Sequence, residues 1–268
     1  MRYAFIVLFL VLQGMGVVAQ TTRDDADPGE QKPSAKVKIL VVPYDERMFN
    51  AESDITRAIG AETGQNYKQM QSAFRRGAVD QMRRAFAGQY EVITLLDDTV
   101  KMKKDLGLVY NMTATEFIPV NSPLNPAPVA KTDNKNPKAP GGIQKGQVVA
   151  PPDEGEKFMN TKILSANLIP YLKEKYKCEY VVFLNQLDLQ NDLGADPLNM
   201  QGNTNFKRMV VIHYTIFSCA TSQRVAMGKV AQRFENTVNS PKRILDGPLN
   251  TVSQTIYRNH AAAVKPKK

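Results

Sequence analysis

The chain of 268 residues has no tryptophan, two histidines and two cysteines. With only His213 and His260 present, chemistry that needs a cluster of histidines is excluded, and two thiols cannot furnish a four-thiolate zinc site. The same scarcity of cysteine excludes a disulfide-dense scaffold, while an apolar fraction of 43% excludes a wholly disordered or collagen-like chain. Long hydrophobic runs are also scarce, because beyond the first twenty or so residues no stretch approaches the ~20 apolar residues of a membrane-spanning helix. What the chain does carry is a positive excess, 35 Lys+Arg against 26 Asp+Glu, for a formal charge of +9.

The one hydrophobic run stands at the N-terminus. Arg2 precedes the apolar segment from Tyr3 to Leu12, and Val17-Val18-Ala19 precedes Gln20. A basic start, about ten apolar residues and a small residue before a polar break make a secretory signal peptide over residues 1–19, with cleavage expected after Ala19. The protein is therefore expected to be exported and periplasmic, soluble or peripherally associated with the envelope. No cysteine lies near the cleavage point, so a lipid anchor is not expected. An oxidising compartment lets disulfides persist. Cys178 and Cys219 lie on two strand-like runs, Cys178–Leu189 and Arg208–Cys219, and antiparallel pairing of these runs brings the cysteines nearly opposite one another. A bridge and a pair of buried free thiols both fit this placement.

Residues 20–35 offer almost nothing to bury and read as a disordered leader. Order begins with the branched run from Lys36 to Val42, a buried strand ending at Pro43. A helix is predicted over Asn66–Ala87, with Tyr67, Met70, Phe74, Ala78, Met82 and Phe86 on one face and Gly88 as its C-terminal cap. The next strand is Tyr90–Leu96, so residues 36–96 make a β-α-β unit with parallel strands. Eight of the sixteen prolines then fall between Pro119 and Pro152, marking an insertion over about residues 119–157. A helix with Pro170 as a possible kink is predicted for Phe158–Tyr176. The two cysteine-bearing strands, a turn at Thr221–Arg224, a strand over Val225–Glu235 and a final helical region opened by Ser240-Pro241 and divided at Gly247-Pro248 follow. The fold class is α/β: a single mixed β-sheet packed with helices in the order β-α-β, insertion, α-β-β-β-α. One domain spans residues 36–264, before a basic tail at 265–268.

Several of these segments resemble a known group. Lys38-Ile-Leu-Val-Val-Pro-Tyr44 is similar to the strand-Pro-aromatic opening of bacterial envelope proteins of the TolB N-terminal, CsgG and LpoB type. Gln71–Asp97 resembles the helix and second strand of that group, Cys178–Leu184 a later strand, and Tyr214–Ala226 its strand-turn-strand hairpin. The resemblance covers about 150 residues as an ordered pattern. It implies an α/β sandwich that works by binding, as an adaptor or assembly module of the bacterial envelope. The chain departs from the group in lacking a lipid-bearing cysteine, in its proline-rich insertion and in having no segment suited to pore strands.

Candidate sites are few. Asp45 and Glu46 follow the first strand and Asp97 and Asp98 the second, so four carboxylates stand at strand ends where open α/β sheets bind ligands. Such a rim would suit a divalent cation or an acid–base pair. Arg75, Arg76, Arg83 and Arg84 form a candidate basic contact face for an anionic envelope polymer, a membrane surface or an acidic protein. Nucleic acid is not an expected partner, because the aromatics fall on buried stripes. Asp188, Asp192 and Asp196 lack the alternate spacing and glycine of a calcium loop, and Gly60–Gly64 lacks the lysine of a phosphate loop. Ser218 lacks a glycine-flanked elbow, Asn111-Met-Thr113 meets only the glycosylation rule, and His213 alternates with apolar neighbours as a structural histidine does. No cofactor and no catalytic residue is expected. The sequence predicts a non-catalytic interaction protein working with envelope proteins, with a metal-dependent hydrolase or small-ligand binder at the carboxylate rim as the alternative.

Overall fold

The computed structural model describes residues 36–98, 100–120, 142–144, 147–149, 156–192 and 206–264. The segments read from sequence as a signal peptide and a leader, most of the insertion, Asp196 and the basic tail lie outside the described residues.

The sheet is built around β1 (Val37–Val42), which pairs in parallel with β3 (Tyr90–Thr94) on one side and β8 (Tyr180–Asp192) on the other. Antiparallel strands β9 (Lys207–Ser218) and β10 (Arg224–Glu235) extend it, giving the order β10-β9-β8-β1-β3. A short β2 (Phe49–Ala51) pairs with the far half of β8. The mixed α/β architecture read from the sequence is the one observed. Ile39 and Val41 enter the apolar layer on one face and Leu40 and Val42 the layer on the other, each no more than 1% exposed. A strand covered on both faces reads as a continuous apolar run, as this segment does.

One face is covered by α1 (Ser53–Thr63), α2 (Tyr67–Phe86) and α6 (Asn250–Val264). The α2 helix starts with a reciprocal cap: Asn66 Oδ1 accepts the Gln69 N–H and Gln69 Oε1 accepts the Asn66 N–H, both at 2.9 Å. Its stripe Met70, Phe74, Ala78, Met82 and Phe86 is buried, and full burial of each large member contributes roughly 1.5–3 kcal/mol. Tyr67, at the head of the stripe, is instead half-exposed and donates its hydroxyl to the Phe49 carbonyl. Gly88 follows the helix without left-handed geometry; that role falls to Gly64, which ends α1 at φ 71°.

The other face carries α3 (Lys103–Asn111), α4 (Leu168–Tyr176) and a two-stranded ribbon of β4 (Thr113–Pro119) and β7 (Lys157–Ile163). Here the sequence reading is corrected. Residues 158–163 are strand, and only Leu168–Tyr176 is helix. Pro170 does not kink α4, because it sits in the first turn, where its missing N–H has no intrahelical partner to lose. Within the insertion, β5 (Gly142–Gln144) and β6 (Gln147–Val149) form a small antiparallel pair. At the C-terminus, α5 (Pro241–Ile244) passes through a π-helical turn, Leu245–Leu249, directly into α6, so Gly247-Pro248 lies inside a continuous helical run and does not divide it. Among the described helices none is long and apolar enough to cross a membrane.

Candidate binding cleft

The ribbon is fixed to the sheet by a layer of buried polar groups centred on one irregularity. The β8–β9 register shifts between Leu184 and Gln186, so Asn185 is an extra residue on β8. A bulge of this kind re-aims its side chain. Asn185 accordingly reaches β7: its Nδ2 donates to the Met159 carbonyl at 2.8 Å and to Thr215 Oγ1 at 2.9 Å, and its Oδ1 accepts the Thr161 hydroxyl at 2.6 Å. Beside it, Thr161 N–H donates to Thr215 Oγ1 at 3.0 Å and Met159 N–H to His213 Nδ1 at 2.8 Å. Side chains of β8 and β9 thus satisfy the Met159 and Thr161 N–H groups and the Met159 carbonyl on one edge of β7, whose other edge pairs with β4. The Nδ1 lone pair of His213 is taken by that backbone donor, so its proton sits on Nε2, 3.1 Å from Asp188 Oδ2. Both ring nitrogens are occupied, and His213 holds structure as its sequence context predicts.

The free edge lies on β4. Leu164 N–H donates to the Met112 carbonyl and Val120 N–H to the Glu156 carbonyl, at 2.9 and 2.8 Å, so the even-numbered residues of β4 direct their backbone groups at β7. Thr113, Thr115 and Phe117 direct theirs the other way, and among the described residues no second strand pairs with β4. Pro119 falls at the same outward phase, where its lack of an N–H costs no ladder bond. Beside this edge is a cleft of about 330 Å³, lined by Val42 and Pro43 at the end of β1, Thr113 and Thr115 of β4, Thr161 of β7 and Asn185 of β8. Phe117, farther along β4, is 63% exposed.

The opposite wall is the segment after β1, which α2 clamps. Arg75 Nε donates to the Tyr44 carbonyl at 2.8 Å, its Nη2 to the Tyr110 hydroxyl at 2.9 Å, and its Nη1 lies 3.2 Å from Glu46. Tyr110 in turn donates to the Pro43 carbonyl at 2.9 Å, and burial pushes its hydroxyl up to about 12, so it is a donor throughout the physiological range. Asp45 caps the short 3-10 turn Glu46–Met48 by accepting the Arg47 N–H at 3.0 Å. The Arg47 side chain also binds it, and that hydrogen bond, against some burial, holds the Asp45 carboxyl below the ordinary carboxylate range. At the cleft mouth the charges of Asp45 and Arg47 therefore offset each other.

The residues singled out from sequence are distributed as follows. Of the four carboxylates, Asp45 pairs with Arg47, Glu46 with Arg75, Asp97 with Arg83 and Asp98 with Lys101. Each has its own cation, and among the described residues no three His, Cys, Asp or Glu side chains are grouped to hold a metal ion. The arginines do not form one face. Arg75 turns inward, Arg83 is bound by Asp97, Arg84 lies 3.4 Å from Asp246, and Arg76 alone of the four is exposed without an ion-pair partner among the described residues. Helical phase near 100° per residue separates Arg75 from Arg76, which a count of basic residues does not register. Asp188 and Asp192 are paired, with His213 and Arg233. The sulfurs of Cys178 and Cys219 are 3.8 Å apart and unbridged. The cleft itself went unread in the sequence, although one signal was present: the apolar alternation Val182, Leu184 resumes at Leu187, Leu189, a phase slip that marks the bulge.

No protein-family model matches the chain, and no curated protein matches it. Among the solved structures similar to it are two bacterial proteins. One is lipoprotein GNA1162 of Neisseria meningitidis, at 10% identity and a TM-score of 0.32, covering 83% of this chain and 99% of that one. The other is the hypothetical protein CT253 of Chlamydia trachomatis, at 10% identity and a TM-score of 0.35, covering 86% and 96%.

Proposed function

We propose that this protein is an exported, non-catalytic interaction module of a bacterial envelope, which binds an extended, uncharged polypeptide segment of an envelope partner along the outer edge of β4. The observation that carries the reading is the set of outward backbone donors and acceptors at Thr115 and Phe117, on a strand whose Thr115 lines a cleft. An added strand takes its affinity from such main-chain bonds and its specificity from pockets that receive alternate side chains. The cleft walls are apolar at Val42, Pro43, Met48 and Leu184, and the charges of Asp45 and Arg47 cancel, which favours a small or aliphatic side chain over a charged one. The other long edge, β10, carries Lys229 and Arg233 and a register irregularity near Arg224, features that discourage pairing. Export rests on the N-terminal sequence pattern, and the envelope setting on the family resemblance.

The test is selection from a library of twelve-residue peptides displayed on phage, followed by amide exchange on the complex. Selected peptides are expected to slow exchange at the Thr115 and Phe117 amides and to lose at least tenfold in affinity to the T115P variant, whose substitution removes an outward N–H and no β4–β7 bond. Peptides that bind T115P unchanged, or no selected peptide at all, would sink the reading.

A further inference from the structure

Away from this cleft the fold brings two thiols together. Cys178 follows Lys177 at the exit of α4, and Cys219 follows the last residue of β9. The Cys219 N–H donates to the Glu179 carbonyl at 2.8 Å, which carries the β8–β9 register past the strand ends and sets the two sulfurs 3.8 Å apart. Both side chains belong to the apolar layer with Leu172 and Phe217 and are 1% and 4% exposed. They also line a cavity of about 610 Å³, walled by Pro170, Lys173, Lys177 and Ser222. Lys177 and Ser222 hold left-handed backbone at φ 52° and 57°, the two non-glycine residues that do so among the described residues. One folds the chain back from α4 and the other closes the β9–β10 turn, so both of these less favoured conformations stand beside the pair.

A hydrogen bond between the two thiols couples them, and burial disfavours the ionised form of both. We propose that Cys178 and Cys219 are an oxidisable dithiol, converted to an intramolecular disulfide by exchange with a disulfide oxidant that enters this cavity. One cysteine loses its proton and attacks a sulfur of the oxidant, forming a mixed disulfide and releasing the oxidant's other half as a thiolate, which takes up a proton. The second cysteine then loses its proton and attacks the first cysteine's Sγ, releasing the second half, which is protonated in turn. The protein loses two protons and two electrons in all, and the oxidant's disulfide becomes two thiols. A bond between them requires the sulfurs to close from 3.8 Å to about 2.0 Å. The loop enclosed runs from residue 178 to residue 219, long enough for a bridge to restrict the unfolded chain strongly.

The test uses the reduced protein equilibrated with oxidised glutathione under native conditions and read by intact mass, by alkylation after denaturation and by peptide mapping. A mass loss of two hydrogens, no alkylable thiol, a linked Cys178–Cys219 peptide and a rise in Tm on the order of 10 °C are expected. The C178S and C219S variants, each with one of the two thiols left, are expected to stop at a glutathione adduct on the remaining cysteine and to form no bridge. Two alkylable thiols remaining in the native protein, while the denatured chain oxidises, would overturn the proposal. An adduct in neither variant would overturn exchange through this cavity.

Discussion

If Asn185 is the pin that holds the ribbon to the sheet, its replacement by leucine should loosen the ribbon before it unfolds the protein. The asparagine is 5% exposed and makes three hydrogen bonds, so leucine strands two buried groups, the Met159 carbonyl and the Thr161 hydroxyl; Thr215 keeps its bond to Asn160. Each stranded buried group costs roughly 1–3 kcal/mol, and the apolar area gained by leucine offsets about a third of the two together, leaving a net loss of about 3 kcal/mol. Asn185→Ala is the informative partner. It removes the same bonds but leaves room beside the cleft for a water to bind the stranded groups, so its loss is expected at about half the leucine value. Urea denaturation gives the global number, and amide exchange gives the locality. The Met159 and Thr161 N–H groups, which donate to His213 and Thr215, should lose about a hundredfold of protection in Asn185→Leu while β1 amides change less. A leucine variant within 0.5 kcal/mol of the parent, on the scale of roughly 1–3 kcal/mol per stranded group, would refute the reasoning, as would one no worse than alanine.

Two further outcomes follow from the same structure. His260 is fully buried, with Tyr90 on Nε2 and no partner on Nδ1, and burial lowers it from 6.5 to about 4. Between those values the unfolded chain binds a proton that the folded chain refuses, so stability is full above pH 6.5 and falls with pH by up to about 3 kcal/mol, a slope that H260Q should abolish in denaturant titrations at pH 7 and pH 5. Replacing residues 121–155 with Asn-Gly should keep the fold, because Val120 already donates to the Glu156 carbonyl at 2.8 Å and a two-residue turn closes that pair; thermal melts should show Tm unchanged or higher, and a lost transition would show that the segment supplies core.

How far the fold could be read in advance depended on whether a segment's pattern was self-sufficient. The β1 run is apolar on consecutive residues and needs no partner to be recognised as a doubly covered strand, and the α2 stripe repeats at helical spacing over twenty residues behind a capping box. Ser240-Pro241 likewise marks a helix start by local chemistry. The ribbon was opaque for the opposite reason. Residues 158–163 carry Phe, Met, Asn, Thr, Lys and Ile, a mixture that suits neither period, and they are strand because β4 and the side chains of Asn185, His213 and Thr215 supply their hydrogen-bond partners. Those partners lie in distant parts of the chain, so local sequence contains no record of them.

The same division runs through the candidate sites. Residue types at strand ends nominated Asp45, Glu46, Asp97 and Asp98, and composition nominated the arginines, but which carboxylate meets which cation depends on the packing of α2 against the segments that follow β1 and β3. By itself the sequence determined the α/β class, the central strands, the α2 helix and the register that sets the two cysteines side by side, because alternation and helical period are properties of neighbours in the chain. Only the tertiary structure decided that Asn185 is a bulge, that β7 is held by side chains and that the edge of β4 stands beside a cleft, because each depends on which distant groups satisfy a backbone donor or acceptor once it is buried.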